Sequence, residues 1–135
     1  MPEKVQLSEQ EWKQRLNRDQ FRILREGGTE PPFANMYVNE KRDGVYRCAG
    51  CGTALFSSAT KYDSKSGWPS FWEPITPDAV QFREDRSFGM VRVEVLCGTC
   101  DGHLGHLFDD GPQPTGQRYC MNSLAMELDA EDSSE

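Results

Sequence analysis

Residues 90–100 read Met90-Val91-Arg92-Val93-Glu94-Val95-Leu96-Cys97-Gly98-Thr99-Cys100. Apolar and polar side chains alternate up to Leu96, and a Cys-x-x-Cys pair follows at once. A period of two predicts a β-strand with one buried face. A cysteine pair closing such a strand predicts a metal-binding knuckle. The arrangement occurs twice. Gly44-Val45-Tyr46-Arg47 leads into Cys48-Ala49-Gly50-Cys51. Two strands ending in two knuckles predict a β fold tied at one point by four thiolates. Such a donor set suits tetrahedral zinc.

The interval between the knuckles, residues 52–96, is longer than the ~15–20 residues of the common zinc-ribbon spacing, and strand insertions account for it. Two rival readings of the four cysteines are structural disulfides and a thioredoxin-like redox pair. A cytoplasmic chain disfavours the first. The second needs a helix-opening βαβ context that the sequence lacks. A closed four-cysteine zinc site would be structural and bind no substrate.

Outward from the knuckles, Thr53-Ala54-Leu55-Phe56 and Val80-Gln81-Phe82-Arg83 read as strands. Residues 117–128 alternate less cleanly and end in Ala125-Met126-Glu127-Leu128. Long loops are expected at 57–79 and 101–116. The N-terminal part reads as helix. Ser8 and Glu11 fit a capping box, and Trp12, Leu16 and Val5 fall near helical spacing. Asp19 is placed to cap a second short helix through Phe21, Ile23 and Leu24, stopped by Gly27-Gly28. Trp12, Phe21 and Leu24 are read as docking residues. The Pro31-Pro32 pair excludes regular structure around 27–33.

With 135 residues, 36% of them apolar, the chain is expected to form one domain. It divides into a helical arm (1–27), a β core carrying metal and active site (28–128), and an acidic, frayed tail (129–135). A net charge of −7 argues against nucleic acid or an anionic membrane as partner. No apolar run approaches the ~20 residues of a membrane span. The charged N-terminus has no secretory core, so a cytoplasmic address is expected.

Cys120 is the odd cysteine. Read alone, it is either a buried thiol acting as a small hydrophobe or a nucleophile. Residues 117–122 read as strand, which puts Arg118, Cys120 and Asn122 on one face. The nearby cation is expected to favour thiolate. His103 and His106 are the only histidines. They are structural, metal ligands, or partners of Cys120 on a Gly-rich loop. Trp68, in Ser66-Gly67-Trp68-Pro69-Ser70-Phe71-Trp72, is either core or the wall of a pocket for a small apolar group.

The ordered set of motifs resembles the B family of methionine sulfoxide reductases. It comprises GTEPPF (28–33), the Cys-x-x-Cys at 48–51, TKYDS (60–64), GWPSF (67–71), Cys-Gly-Thr-Cys (97–100), HLGHLFDDGP (103–112) and GQRYCMNS (116–123). The resemblance implies a mainly β protein, a small antiparallel β-sheet core of the β-tent type with short N-terminal helices and a structural zinc site. It implies reduction of the R epimer of methionine sulfoxide in peptides and proteins. It assigns Cys120 as nucleophile and Cys48, Cys51, Cys97 and Cys100 to zinc. His103, His106, Asn122 and Arg118 match the family's polar active-site groups, and Asp110 matches a supporting acid. Trp68 matches the aromatic against the substrate methyl. The expected partners are the sulfoxide substrate and thioredoxin or glutaredoxin/glutathione as reductant, with the chain acting as a monomer.

The chemistry suits these residue types. Sulfoxide sulfur is electrophilic and its oxygen leaves poorly, so a thiolate must attack and donors must accompany the oxygen. One departure matters. Many members carry a resolving cysteine immediately before GWPSF, where this chain has Ser66. No internal disulfide is then expected, and a Cys120 sulfenic acid should be recycled by an external thiol. A zinc-ribbon binding module would have no need of the Arg118-Tyr119-Cys120 segment. A zinc hydrolase or deaminase would need an open metal site and an H-x-E motif, which this sequence lacks.

Overall fold

The computed structural model describes residues 7–33, 36–86 and 89–130. Val5 and residues 131–135 of the acidic tail lie outside the described residues. Two helices open the chain, α1 (Glu9–Arg15) and α2 (Arg18–Glu26). Ser8 and Glu11 form the expected reciprocal capping box. The second cap differs from expectation. Asn17, with Gln20 reaching back to it, caps α2, and Asp19 lies inside the first turn. The carboxylate there still complements the helix dipole, but the capping role needs the extended backbone that Asn17 adopts. Gly27 closes α2 in the left-handed conformation. Trp12, Phe21, Ile23 and Leu24 are buried, so both helices dock on the β core.

Nine strands follow among the described residues: β1 (Gly44–Cys48), β2 (Ala54–Ser57), β3 (Lys61–Tyr62), β4 (Ser70–Phe71), β5 (Val80–Asp85), β6 (Arg92–Cys97), β7 (His103–Phe108), β8 (Arg118–Met121) and β9 (Met126–Ala130). They form two antiparallel sheets, one ordered β2-β1-β9 and the other β3-β4-β8-β7-β6-β5. The sequence expectation of a mainly β, antiparallel fold with short N-terminal helices holds. Three boundaries change. The last strand runs to Ala130, two residues into the expected tail. The loop expected over 57–79 contains β3 and β4. The loop expected over 101–116 contains all of β7.

An aromatic cluster joins the sheets. Tyr46 of β1 meets Phe71 of β4 edge-on at 5.1 Å, and Phe56 of β2 stacks on Phe71 at 4.5 Å. Phe56 also packs on Tyr119 of β8. Each such pair adds about 0.5–1.5 kcal/mol beyond the area it buries. Cross-strand partners share a face, and the register sorts the six-stranded sheet accordingly. Val95, Gly105 and Met121 are successive partners on the core side, whereas Glu94, His106 and Cys120 are successive partners on the other. One face of the sheet is therefore core and the opposite face carries the chemistry.

Candidate active site

The site is built on β7 and β8. A side chain on Gly105 would collide with the carbonyl oxygen of Cys120, so glycine lets β7 lie close against β8 at this point. His103 and His106 are three apart and would point to opposite faces of a regular strand. They share a face because the β6–β7 register slips between Val95 and Leu96. Val95 pairs with Gly105 and Leu96 with His103, leaving Leu104 as the extra residue. The rings lie 5.5 Å apart, edge to face. This replaces the expected Gly-rich loop: both histidines sit on a strand.

A cavity of ≈ 320 Å³ opens on this face. Arg118, Cys120 and Asn122 line it together, as the alternation in 117–122 predicts, although β8 itself ends at Met121. His106, Gly105 and Phe108 of β7 line the adjoining wall, and Trp68 and Ser66 another. His103 and Asp110 do not line the cavity. His103 is buried with Nδ1 2.7 Å from the Glu94 carboxylate. Burial pushes its pKa down against the opposing pull of Glu94. His106 holds Asp85 through Nε2 at 2.8 Å. Asp110 meets Arg118 instead of the cavity. Its two oxygens accept from Arg118 Nε and Nη2 at 2.8 and 3.2 Å, and the guanidinium also stacks over Phe108.

Burial pushes the Cys120 thiol up, and the smaller opposing effects of Ser66 and Arg118 do not offset it. Arg118 does pull toward the thiolate, as expected, but burial outweighs it. The guanidinium is shared between Asp110, to which it donates twice, and the thiol it faces. Ser66 Oγ lies 3.9 Å from Cys120 Sγ and belongs to a hydroxyl chain with Ser64 and Ser70.

Glu30 is the residue that sequence reasoning missed most completely. It is 1% exposed. Its carbonyl accepts the Trp68 indole N–H at 2.9 Å, and its own N–H donates to Asn122 Oδ1 at 3.0 Å. Its carboxylate accepts from Leu124 N at 3.0 Å. One residue thus ties the indole wall to the strand end bearing Asn122. Nothing in GTEPPF marks an acid as buried, since acids rarely are. Glu30→Ala leaves Leu124 N–H unpaired, and we expect a loss of about 1–3 kcal/mol in chemical denaturation. An unchanged midpoint and slope would refute the clamp. Sequence reasoning also misses Arg92, because alternate polar residues on a strand read as a solvent face, and Phe108, because 101–116 reads as a loop.

The four remaining cysteines gather at the ends of β1 and β6, with all sulfur atoms within 4.8 Å of one another. The shortest separations are 3.7 Å for Cys48–Cys100 and 3.6 Å for Cys51–Cys97. With metal–sulfur bonds of about 2.3 Å, the edge of a sulfur tetrahedron is about 3.8 Å. Backbone N–H groups of Gly50 and Thr99 approach Cys48 and Cys97 sulfur at 3.3 and 3.4 Å. Such contacts stabilise thiolate ligands. Donor type, number and spacing all fit a closed tetrahedral ion.

The geometry defines a β protein with two separate sulfur centres, a four-cysteine cluster that fits a metal ion and a lone thiol in a cavity. A family profile described as the SelR domain matches residues 16–130. The chain is 50% identical over 132 residues to the peptide methionine sulfoxide reductase MsrB of Acinetobacter baylyi, covering 98% of this chain and 95% of that relative. It is 53% identical over 124 residues to the protein of the same name from Synechococcus sp., covering 92% and 91%. The relative of that name in Methanosarcina mazei is 49% identical over 132 residues, covering 97% and 94%. The chain belongs to the methionine sulfoxide reductase B family.

Proposed function

We propose that this chain reduces the R epimer of methionine sulfoxide in peptides and proteins to methionine. The observation that carries the reading is one cavity lined by Cys120, Trp68, His106, Arg118 and Asn122, with every other thiol of the chain in the metal cluster. Cys120 attacks the sulfoxide sulfur, the thiol proton follows to the sulfoxide oxygen, and oxygen passes to Cys120. A thiol and a sulfoxide become a sulfenic acid and a sulfide, so atoms and electrons balance. The epimers differ in which corner of sulfur holds methyl and which holds oxygen. Trp68 offers an apolar wall for methyl, Asn122 and Arg118 offer donors for oxygen, and His106 offers a ring nitrogen that can relay the thiol proton. Asp110 acts through Arg118. Cys48, Cys51, Cys97 and Cys100 hold zinc, which supplies cross-linking and no open coordination position.

The direct test is the methionine formed from separated R and S sulfoxide peptides with dithiothreitol. Turnover confined to the R epimer is expected, and equal use of both would refute the pocket argument.

Recycling follows from the cysteine count. Two external thiols reduce the sulfenic acid to thiol and water, giving a disulfide. Thioredoxin or glutathione with glutaredoxin fits that role. After stoichiometric substrate without reductant, dimedone should label Cys120. A two-hydrogen mass loss joining Cys120 to a cluster cysteine would overturn this. Ser66→Cys should instead form an internal disulfide with Cys120, because the side chains at 66 and 120 are already neighbours.

A further inference from the structure

Asp85 closes β5 and Glu94 lies within β6. Each places a carboxylate oxygen on one of the chain's two histidines. Glu94 is held through its other oxygen by Arg83 Nε at 2.9 Å, and the Asp85 oxygen that meets His106 also accepts from Arg92 Nη2 at 3.3 Å. Burial alone would raise the Glu94 pKa, but the bonds from Arg83 and His103 outweigh it and hold the carboxyl below its usual value. An ionised carboxylate only accepts, so each contact fixes a proton on the imidazole nitrogen that makes it. The nitrogens differ: Nδ1 on His103 and Nε2 on His106.

We propose that Glu94 and Asp85 are positioning residues that hold His103 and His106 in opposite tautomers, keeping His103 Nε2 and His106 Nδ1 unprotonated beside the thiol pocket. His103 Nε2 is buried and has no partner among the described residues. His106 lines the cavity and is the direct cross-strand partner of Cys120 on the same face. The reaction begins from a thiol and ends with that proton on the transferred oxygen. His106 Nδ1 takes the proton from Cys120 sulfur and returns it to the sulfoxide oxygen, so no net charge is gained. The Asp85 carboxylate stabilises the imidazolium formed between these events. His103, fixed by Glu94, supports the His106 ring edge-on. This role rests on the sulfoxide reduction proposed above. The hairpin bearing both acids is then part of the active site, although neither acid lines the cavity.

With two histidines, a ¹⁵N imidazole spectrum of the zinc-loaded chain resolves both rings. Recorded above the imidazole titration range and without substrate, it should show pyrrole-type Nδ1 with pyridine-type Nε2 for one ring and the reverse for the other. Glu94→Ala should convert the His103 pattern toward Nε2–H. Asp85→Ala should lower kcat about 10–100-fold, with KM within about twofold and zinc content unchanged. Asp85→Asn, whose amide oxygen still accepts from Nε2–H, should recover most of that loss. Two Nε2–H rings in the wild type would overturn the proposal whether or not any variant folds. An unaltered kcat in Asp85→Ala would overturn its proton-handling part. A wild-type chain that reduces no sulfoxide contradicts the underlying reaction, and the substrate-free spectrum separates that failure from an error about tautomers.

Discussion

We expect Cys120→Ser to cut sulfoxide reduction by roughly 10⁴-fold or more, while metal content and melting temperature stay at wild-type values. The hydroxyl is a far weaker nucleophile than a thiolate at neutral pH. No second thiol can take over, because the other four cysteines form the cluster at the ends of β1 and β6. The fold tolerates the change because the sheet is held at this point by backbone pairing of residue 120 with Ser70 and His106. Sulfur and oxygen differ little in volume, and the side chain is not fully buried. Methionine production from the R sulfoxide peptide, beside metal analysis and thermal denaturation of the same preparation, checks both halves. Near-normal turnover would sink the mechanism. Lost activity accompanied by lost metal would show that Cys120 serves the fold instead.

The ease with which parts of this site are read from sequence follows the range of the interactions involved. Strands β1, β2, β5 and β6 announce themselves by local alternation, and the cluster by two local spacings. Arg118, Cys120 and Asn122 share a face for the same local reason. Strand β7 does not announce itself. His103-Leu104-Gly105-His106 breaks the alternation because one residue is inserted as a bulge, and the bulge exists only against β6. Strands β3 and β4 are two residues each and are defined by pairing, not by composition. Glu30 contacts Asn122 and Leu124, more than ninety residues away. Asp85 and Glu94 are polar residues on a two-stranded hairpin, and what meets them is the pair of histidine side chains reaching across from the neighbouring β7. The balance of effects on the Cys120 thiol is hidden from the sequence for a related reason. Arg118 is two residues away and visible in sequence, whereas the burial that outweighs it is a property of the assembled sheet.

Removing the metal should unfold this chain before it has any separable effect on chemistry. Cys48 ends β1 in the three-stranded sheet, and Cys97 ends β6 in the six-stranded sheet. An ion held by all four cysteines would therefore cross-link the two sheets at one end of their shared aromatic core. The helical arm also depends on that corner. Arg25 of α2 donates to the Cys100 carbonyl at 2.9 Å and lies over the Trp12 ring at 4.6 Å. Structural zinc in comparable four-ligand sites contributes about 10–16 kcal/mol, against a total stability of about 5–15 kcal/mol for an ordinary domain. Without the ion, four sulfur atoms within 4.8 Å of one another would have to be protonated or repel. We expect one zinc per chain, loss of near-UV dichroism and of activity together on chelation, and recovery of both when zinc is restored. Cys48→Ser should reproduce the chelated state, since a closed site with one weak ligand releases its metal. The measurement is metal content and dichroism along one chelator titration. Less than about half an equivalent of zinc after careful purification would remove the basis for the assignment. A metal-free chain with native dichroism and a melting point within a few degrees of the loaded protein would show that the aromatic core alone holds the sheets together.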